Sequence, residues 1–204
     1  MAGDGRSRPS KGAIAALVIV SIAIPAGLLA LILVNDDSSS PSGSVTSTTV
    51  GNPIDERKAK VGTPAPPFEL PDIDGRSVAL AHLRGKPVVI AFFASWCHPC
   101  EEELPVLQQY AEDEGDRLHV VAISFRDLPS DSANFVRRLG VTYPALIDEP
   151  TAPVGERYGV RGIPQTVFVD AEGIVRGRVF GVTSRDELAP AIEDLLAGRD
   201  VRPI

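Results

Sequence analysis

The sequence predicts an α/β sandwich, a parallel or mixed central sheet flanked by helices, and three observations point to it. Val88 to Ala94 is a nearly continuous apolar run, which suits a strand buried on both faces. Helix-like and strand-like periods alternate after it as far as Leu139. The chain then closes with a hairpin pattern, Thr166 to Phe180, and a capped helical stretch, Ser184 to Ala197.

The N-terminal third is different in kind. Arg6, Arg8 and Lys11 precede a charge-free run from Gly12 to Val34. Its length, about 23 residues, is enough for a helix to cross a hydrocarbon core of roughly 30 Å. Pro25 lies mid-run and is tolerated there. Basic residues before the run and Asp36–Asp37 after it predict a cytoplasmic N-terminus at residues 1–11, with everything beyond the span outside. The rival is a cleaved signal peptide. Its apolar core is usually about 7–15 residues, and no clear A-x-A site follows Val34. The expectation is therefore a single-pass anchor at residues 12–34, placing the rest of the chain extracytoplasmically at the cell membrane. Residues 35–60 are Ser- and Thr-rich, then charged, and read as a flexible linker. The folded domain is expected over residues 61–204.

Within it, Phe68–Leu70 and Val78–Leu80 are short strand-like pieces around an Asp72-Ile73-Asp74-Gly75 turn. After the buried run, Cys97 to Glu114 carries Leu104, Leu107, Tyr110 and Ala111 at helical spacing. Pro99 fits the first turn of that helix, and Pro105 should bend it. His119 to Ser124 reads as the next strand. Ser130 or Asp131 can cap a helix that ends at Gly140. Pro144 to Asp148 is a short strand and Val154 to Tyr158 a short helix. In the last helix, Ser184 and Glu187 form a capping box and Gly198 is the stop.

The net charge of −7 argues against a nucleic-acid partner, which calls for a basic patch. The two cysteines, Cys97 and Cys100, close too short a loop to staple a domain. Two cysteines and three histidines do not make a zinc site of about four ligands, so no metal is expected. Redox chemistry remains. The segment Ser95-Trp96-Cys97-His98-Pro99-Cys100 joins a buried strand to a helix start. Spacing of i and i+3 puts both sulfurs on one helix face. The helix N-terminus stabilises a thiolate on Cys97, and a protonated His98 would add to this. Cys97 is thus the expected nucleophile and Cys100 the resolving thiol, with their own disulfide as the only redox group.

From Val61 to Gly198 the chain resembles the TlpA/ResA/DsbE-type branch of thioredoxin-like thiol–disulfide oxidoreductases. The matching pieces are Val61-Gly62-x-Pro64-Ala65-x-x-Phe68-x-Leu70, Trp96-Cys97-x-x-Cys100 followed by Glu103-Leu104-Pro105, Gly140-Val141-Thr142-Tyr143-Pro144, and Gly159-Val160-x-Gly162-Ile163-Pro164. The resemblance implies a thioredoxin fold with an added N-terminal hairpin and a central insertion around residues 143–158. It implies a cis Ile163–Pro164 bond facing the cysteines, against the ordinary alternative of a trans turn proline. Trp96, His98, Pro99 and Ile163 would line the substrate groove. Glu103 would be a partly buried carboxylate that raises the pKa of nearby thiols and shuttles a proton for Cys100, or else a solvated acid like Glu101 and Glu102. Ala91 and Gln165 depart from the branch: relatives usually carry Asn or Asp at the first position and Glu or Thr at the second. The implied role is reduction of protein disulfides such as those of apocytochrome c, with electrons from a membrane thiol carrier. The alternatives are a DsbA-like oxidase, supported by His98, and a peroxiredoxin, for which Ala94 stands where a Thr belongs. A copper-binding assembly factor would need C-x-x-x-C, which is absent.

Overall fold

A computed structural model describes residues 58–181 and 184–202. The apolar run at 12–34 and nearly all of the linker lie outside the described residues. Among the described residues no helix is long and apolar enough to cross a membrane.

The domain opens with the expected hairpin, β1 (Glu69–Pro71) antiparallel to β2 (Ser77–Ala79). Asp72 makes its turn by accepting hydrogen bonds from the Asp74 and Arg76 backbone N–H groups, at 2.9 and 2.8 Å. One 3₁₀ turn, Leu80–Leu83, leads to β3 (Val88–Phe93). Then follow α1 (Cys100–Asp113), β4 (His119–Ser124), α2 (Pro129–Arg138), β5 (Ala145–Leu146) and α3 (Pro153–Arg157). The hairpin β6 (Gln165–Val169) and β7 (Val175–Phe180) precedes α4 (Arg185–Leu196).

The main sheet has the order β5-β4-β3-β6-β7. β3 runs parallel to β4 and antiparallel to β6, so the sheet is mixed as expected. Every residue of β3 is buried. Alternation then sorts its side chains onto two cores. Val89, Ala91 and Phe93 face a layer built by α1, α2 and α4, which also holds both cysteines. Val88, Ile90 and Phe92 face a layer that contains Phe68, Leu80, Val154 and Tyr158, from the N-terminal hairpin region and α3.

Several boundaries move, each for a local reason. α1 starts at Cys100, because Pro99 takes the N-cap position and Cys97–Pro99 form the preceding turn. The helix continues through Pro105 to Asp113. α2 starts at Pro129 with Leu128 as N-cap, in place of a Ser130 or Asp131 cap. Proline is pre-set for the first helical position, where its missing N–H costs nothing. The capping box of Ser184 and Glu187 forms as expected, and Gly198 follows α4 with φ +68°. Packing also begins earlier than Val61. Ala59 is buried, donates its N–H to Arg157 O at 2.9 Å, and accepts from Arg178 Nη2.

α3 packs its Gly155 against Phe125, just after β4. A Cβ at Gly155 would lie 2.5 Å from Phe125 Cδ2 and 2.9 Å from Cε2. Gly155→Ala gains up to about 1 kcal/mol of helix propensity. Overpacking against the ring costs about 1–3 kcal/mol. The expected outcome is net destabilisation by about 1–2 kcal/mol in urea unfolding; a gain in stability would contradict this packing.

Candidate active site

β3 delivers the chain to the redox segment. After Ala94, Ser95 and Trp96 form a turn in which Cys97 N–H donates to Ala94 O at 3.1 Å. Cys100 N–H donates to Cys97 O, also at 3.1 Å, and α1 begins. Cys97 and Cys100 are joined as a disulfide, S–S 1.99 Å and Cα–Cα 5.4 Å. Cys97 is 3% exposed and Cys100 fully buried, so only Cys97 touches solvent.

Three carboxylates occupy the first turn of α1, with three different fates. Glu101 is partly exposed and lies 2.9 Å from Arg138 and 3.7 Å from His98. The Arg138 hydrogen bond holds its carboxyl below the usual carboxylate range, with the charges of Arg138 and His98 acting in the same direction. Glu102 is exposed. Glu103 is fully buried, and its Oε1 accepts a 2.8 Å hydrogen bond from Thr166 Oγ1. Of the two readings of Glu103, the buried carboxylate is therefore the one observed. His98 is almost wholly exposed beside Glu101. The helix N-terminus thus presents Cys97 with a carboxylate-rich turn, offset by Arg138 from α2.

The antiparallel pairing of β6 with β3 places Gln165 opposite Phe92. The segment just before Gln165 therefore arrives at the end of β3 where the cysteines begin. Ile163–Pro164 is cis. Pro164 is buried, and Ile163 is half-buried and packs against both cores, including the one that holds the cysteines. Pro164 O accepts from Gly181 N–H at 3.0 Å. Trp96 is 62% exposed, with its indole N–H directed at Arg126 O, 3.4 Å away. Leu128 and Phe180 are the other large apolar side chains exposed at this end of the sheet.

Sequence reasoning missed three residues. Asp127 is 7% exposed and accepts four hydrogen bonds. The donors are Ser95 N–H (2.7 Å), Ser95 Oγ (2.9 Å), Leu128 N–H (3.0 Å) and Ser132 Oγ (2.6 Å). It ties the turn before Cys97 to the start of α2. Its preceding neighbour Arg126 sits at φ +51°, in the left-handed region. The available signal was an acid two residues before the Pro129 that opens a helix. Ser95 and Thr166 carried no local signal, because each acts across strands. Gln165 faces the other layer, fully buried, and its side-chain amide N and O have no hydrogen-bond partner among the described residues.

No group of three or more His, Cys, Asp or Glu that could hold a metal occurs among the described residues. A dithiol pair at a strand-to-helix junction, a cis-proline loop beside it and a five-stranded mixed sheet define a thioredoxin-fold thiol–disulfide oxidoreductase. Residues 61–178 match the AhpC/TSA family, and the chain belongs to that family. It is 30% identical over 135 residues to the thiol-disulfide oxidoreductase ResA of Bacillus thuringiensis, covering 66% of this chain and 78% of the relative. It is 31% identical over 150 residues to the thiol:disulfide interchange protein DsbE of Pseudomonas fluorescens, covering 71% and 83%. Among solved structures, a thioredoxin-family thiol:disulfide interchange protein from Chlorobium tepidum superposes with a TM-score of 0.60 at 30% identity, covering 67% of this chain and 98% of that one. The sequence-level resemblance and the fold therefore agree.

Hydrogen bonds to a charged group contribute about 1.5–3 kcal/mol each, and burial makes their loss costlier. Asp127→Asn keeps the shape but replaces one acceptor oxygen with a donor. A loss of about 2–4 kcal/mol in unfolding free energy is expected. Chemical denaturation measures it, and a change below 0.5 kcal/mol, on the order of an ordinary surface substitution, would mean that the clamp is slack.

Proposed function

We propose that this chain reduces disulfides of extracytoplasmic proteins through Cys97 and Cys100. The observation that carries the reading is the pairing of that redox disulfide with a fully buried carboxylate, Glu103, one turn into the same helix. In the reduced protein, the Cys97 thiolate attacks a substrate disulfide. One Cys97–substrate bond forms and one substrate thiolate leaves. Cys100 then gives its proton to the Glu103 carboxylate and attacks Cys97 Sγ. The Cys97–Cys100 disulfide forms and the second substrate thiolate departs, taking up a proton. Two electrons have passed to the substrate; the Cys100 proton held on Glu103 goes to one released thiolate, and the other takes its proton from water. Trp96, His98, Pro99 and Ile163 flank the reacting sulfur, and the Ile163 backbone is the pairing partner for an extended substrate segment.

The resemblance to the TlpA/ResA/DsbE-type branch adds apocytochrome c as the substrate class and a membrane thiol carrier as electron donor. Residues 12–34 would anchor the domain, with residues 1–11 in the cytoplasm. The observation favouring the oxidase alternative is His98 beside Cys97, since a stabilised thiolate makes a stronger oxidant.

The deciding measurement is the reduction potential of Cys97–Cys100 in a thiol redox buffer. A value near that of thioredoxin, about −270 mV, fits a reductant, whereas one near that of DsbA, about −120 mV, would replace this reading with the oxidase. Cys100→Ser should accumulate a mixed disulfide with substrate, and Cys97→Ser should not; equal trapping by both would reverse their roles. In intact cells after mild reduction, an impermeant thiol reagent should label Cys97. Labelling that appears only after lysis would overturn the topology.

A further inference from the structure

Thr166 stands across the sheet ladder from Ala91. Even-numbered residues of β6 face the cysteine layer, as Phe168 does, so the Thr166 hydroxyl points to the same side as the disulfide. It is fully buried and donates to Glu103 Oε1 at 2.8 Å. The nearby Tyr143 phenol is committed elsewhere, to Leu104 O at 3.3 Å. Burial holds the Tyr143 hydroxyl well above its ordinary pKa, and the Glu103 charge pushes it further the same way, so it remains a neutral donor.

We propose that Thr166 is a positioning residue for the Glu103 carboxylate: its hydroxyl fixes Oε1 on the cysteine side of β6 and favours the ionised form that takes the Cys100 proton. This rests on the proposed proton-accepting role of Glu103. Thr166 does not alter the balance of the reaction, because it keeps its own proton. Among the described residues, the titratable groups on this face include Cys97, Cys100, Glu103, Tyr110 and Tyr143. Tyr110 is tied by its hydroxyl to Arg185 O at the start of α4. β3, β6 and α4 contribute apolar side chains to this core, including Ala91, Phe93, Phe168 and Leu188.

The sign follows from the hydrogen bond. A donor to the ionised carboxylate lowers its pKa, so deleting the hydroxyl raises it. The reduced full-length protein, in detergent, is mixed with a small aromatic disulfide, and single-turnover disulfide formation is followed from pH 4 to 9. Wild type, Thr166→Val, Thr166→Ser and Glu103→Gln are compared. The inflection due to Glu103 should move up by about one pH unit in Thr166→Val, the scale of one charge-assisted hydrogen bond. Thr166→Ser, which restores the hydroxyl, should return it to the wild-type position. Should Thr166→Val not fold, Thr166→Ala makes the same comparison. A Thr166→Val profile superimposed on wild type, while Glu103→Gln changes the profile, overturns the positioning role and leaves Glu103 standing. If Glu103→Gln is itself silent, Glu103 accepts no proton, and the role of Thr166 falls with it.

Discussion

The antiparallel pairing of β6 with β3 is the contact on which the site depends. Opposite strand directions bring the end of β3 to the start of β6, although more than sixty residues separate them in sequence. One ladder therefore sets Phe92 against Gln165 and Ala91 against Thr166. The strand-to-helix turn with the cysteines and the loop with Pro164 then have to meet at one end of the sheet. The parallel partner, β4, does the same for the other side, since its exit leads directly to Arg126 and Asp127. The redox segment is thus flanked by two other loops at one end of the sheet, one entering β6 and one leaving β4.

Two buried carboxylates flank that segment, and they are handled differently. Asp127 receives two backbone and two hydroxyl donors, all of them local to the turn before Cys97 or to the start of α2. In a low-dielectric interior an ionised carboxylate with several donors is stable and geometrically demanding. It serves as a structural knot. Glu103 is fully buried and accepts a hydroxyl hydrogen bond from β6. Its partner lies on a distant strand, so it ties no local turn.

Much of this was legible in the residues. The strand His119–Ser124 and the capping box at Ser184 depend on periodicity and short-range chemistry, and both appear where expected. The cysteine spacing, the apolar strand before it and the Ile163–Pro164 motif located the site. What was not legible depends on register. Nothing near Thr166 says that it opposes Ala91, and nothing near Ser95 says that Asp127 lies within reach. For Glu103 the sequence left two readings open, because three consecutive glutamates look alike until the helix phase is known; the fold selects the buried one. Helix starts shifted where proline took a terminal position: at Pro129 the helix began earlier, and at Pro99 it began later.

The site's construction also has a kinetic side. Residues 95–103, 125–132 and 163–166 converge only after non-local strand pairing, and such pairing is the slow part of folding. The two cysteines, by contrast, are near neighbours along the chain at every stage. They can be joined or separated in the unfolded chain with little effect on its loop entropy, because the ring is so small. Oxidised and reduced chains therefore enter folding from almost the same ensemble. The sheet, not the disulfide, decides when the protein is finished.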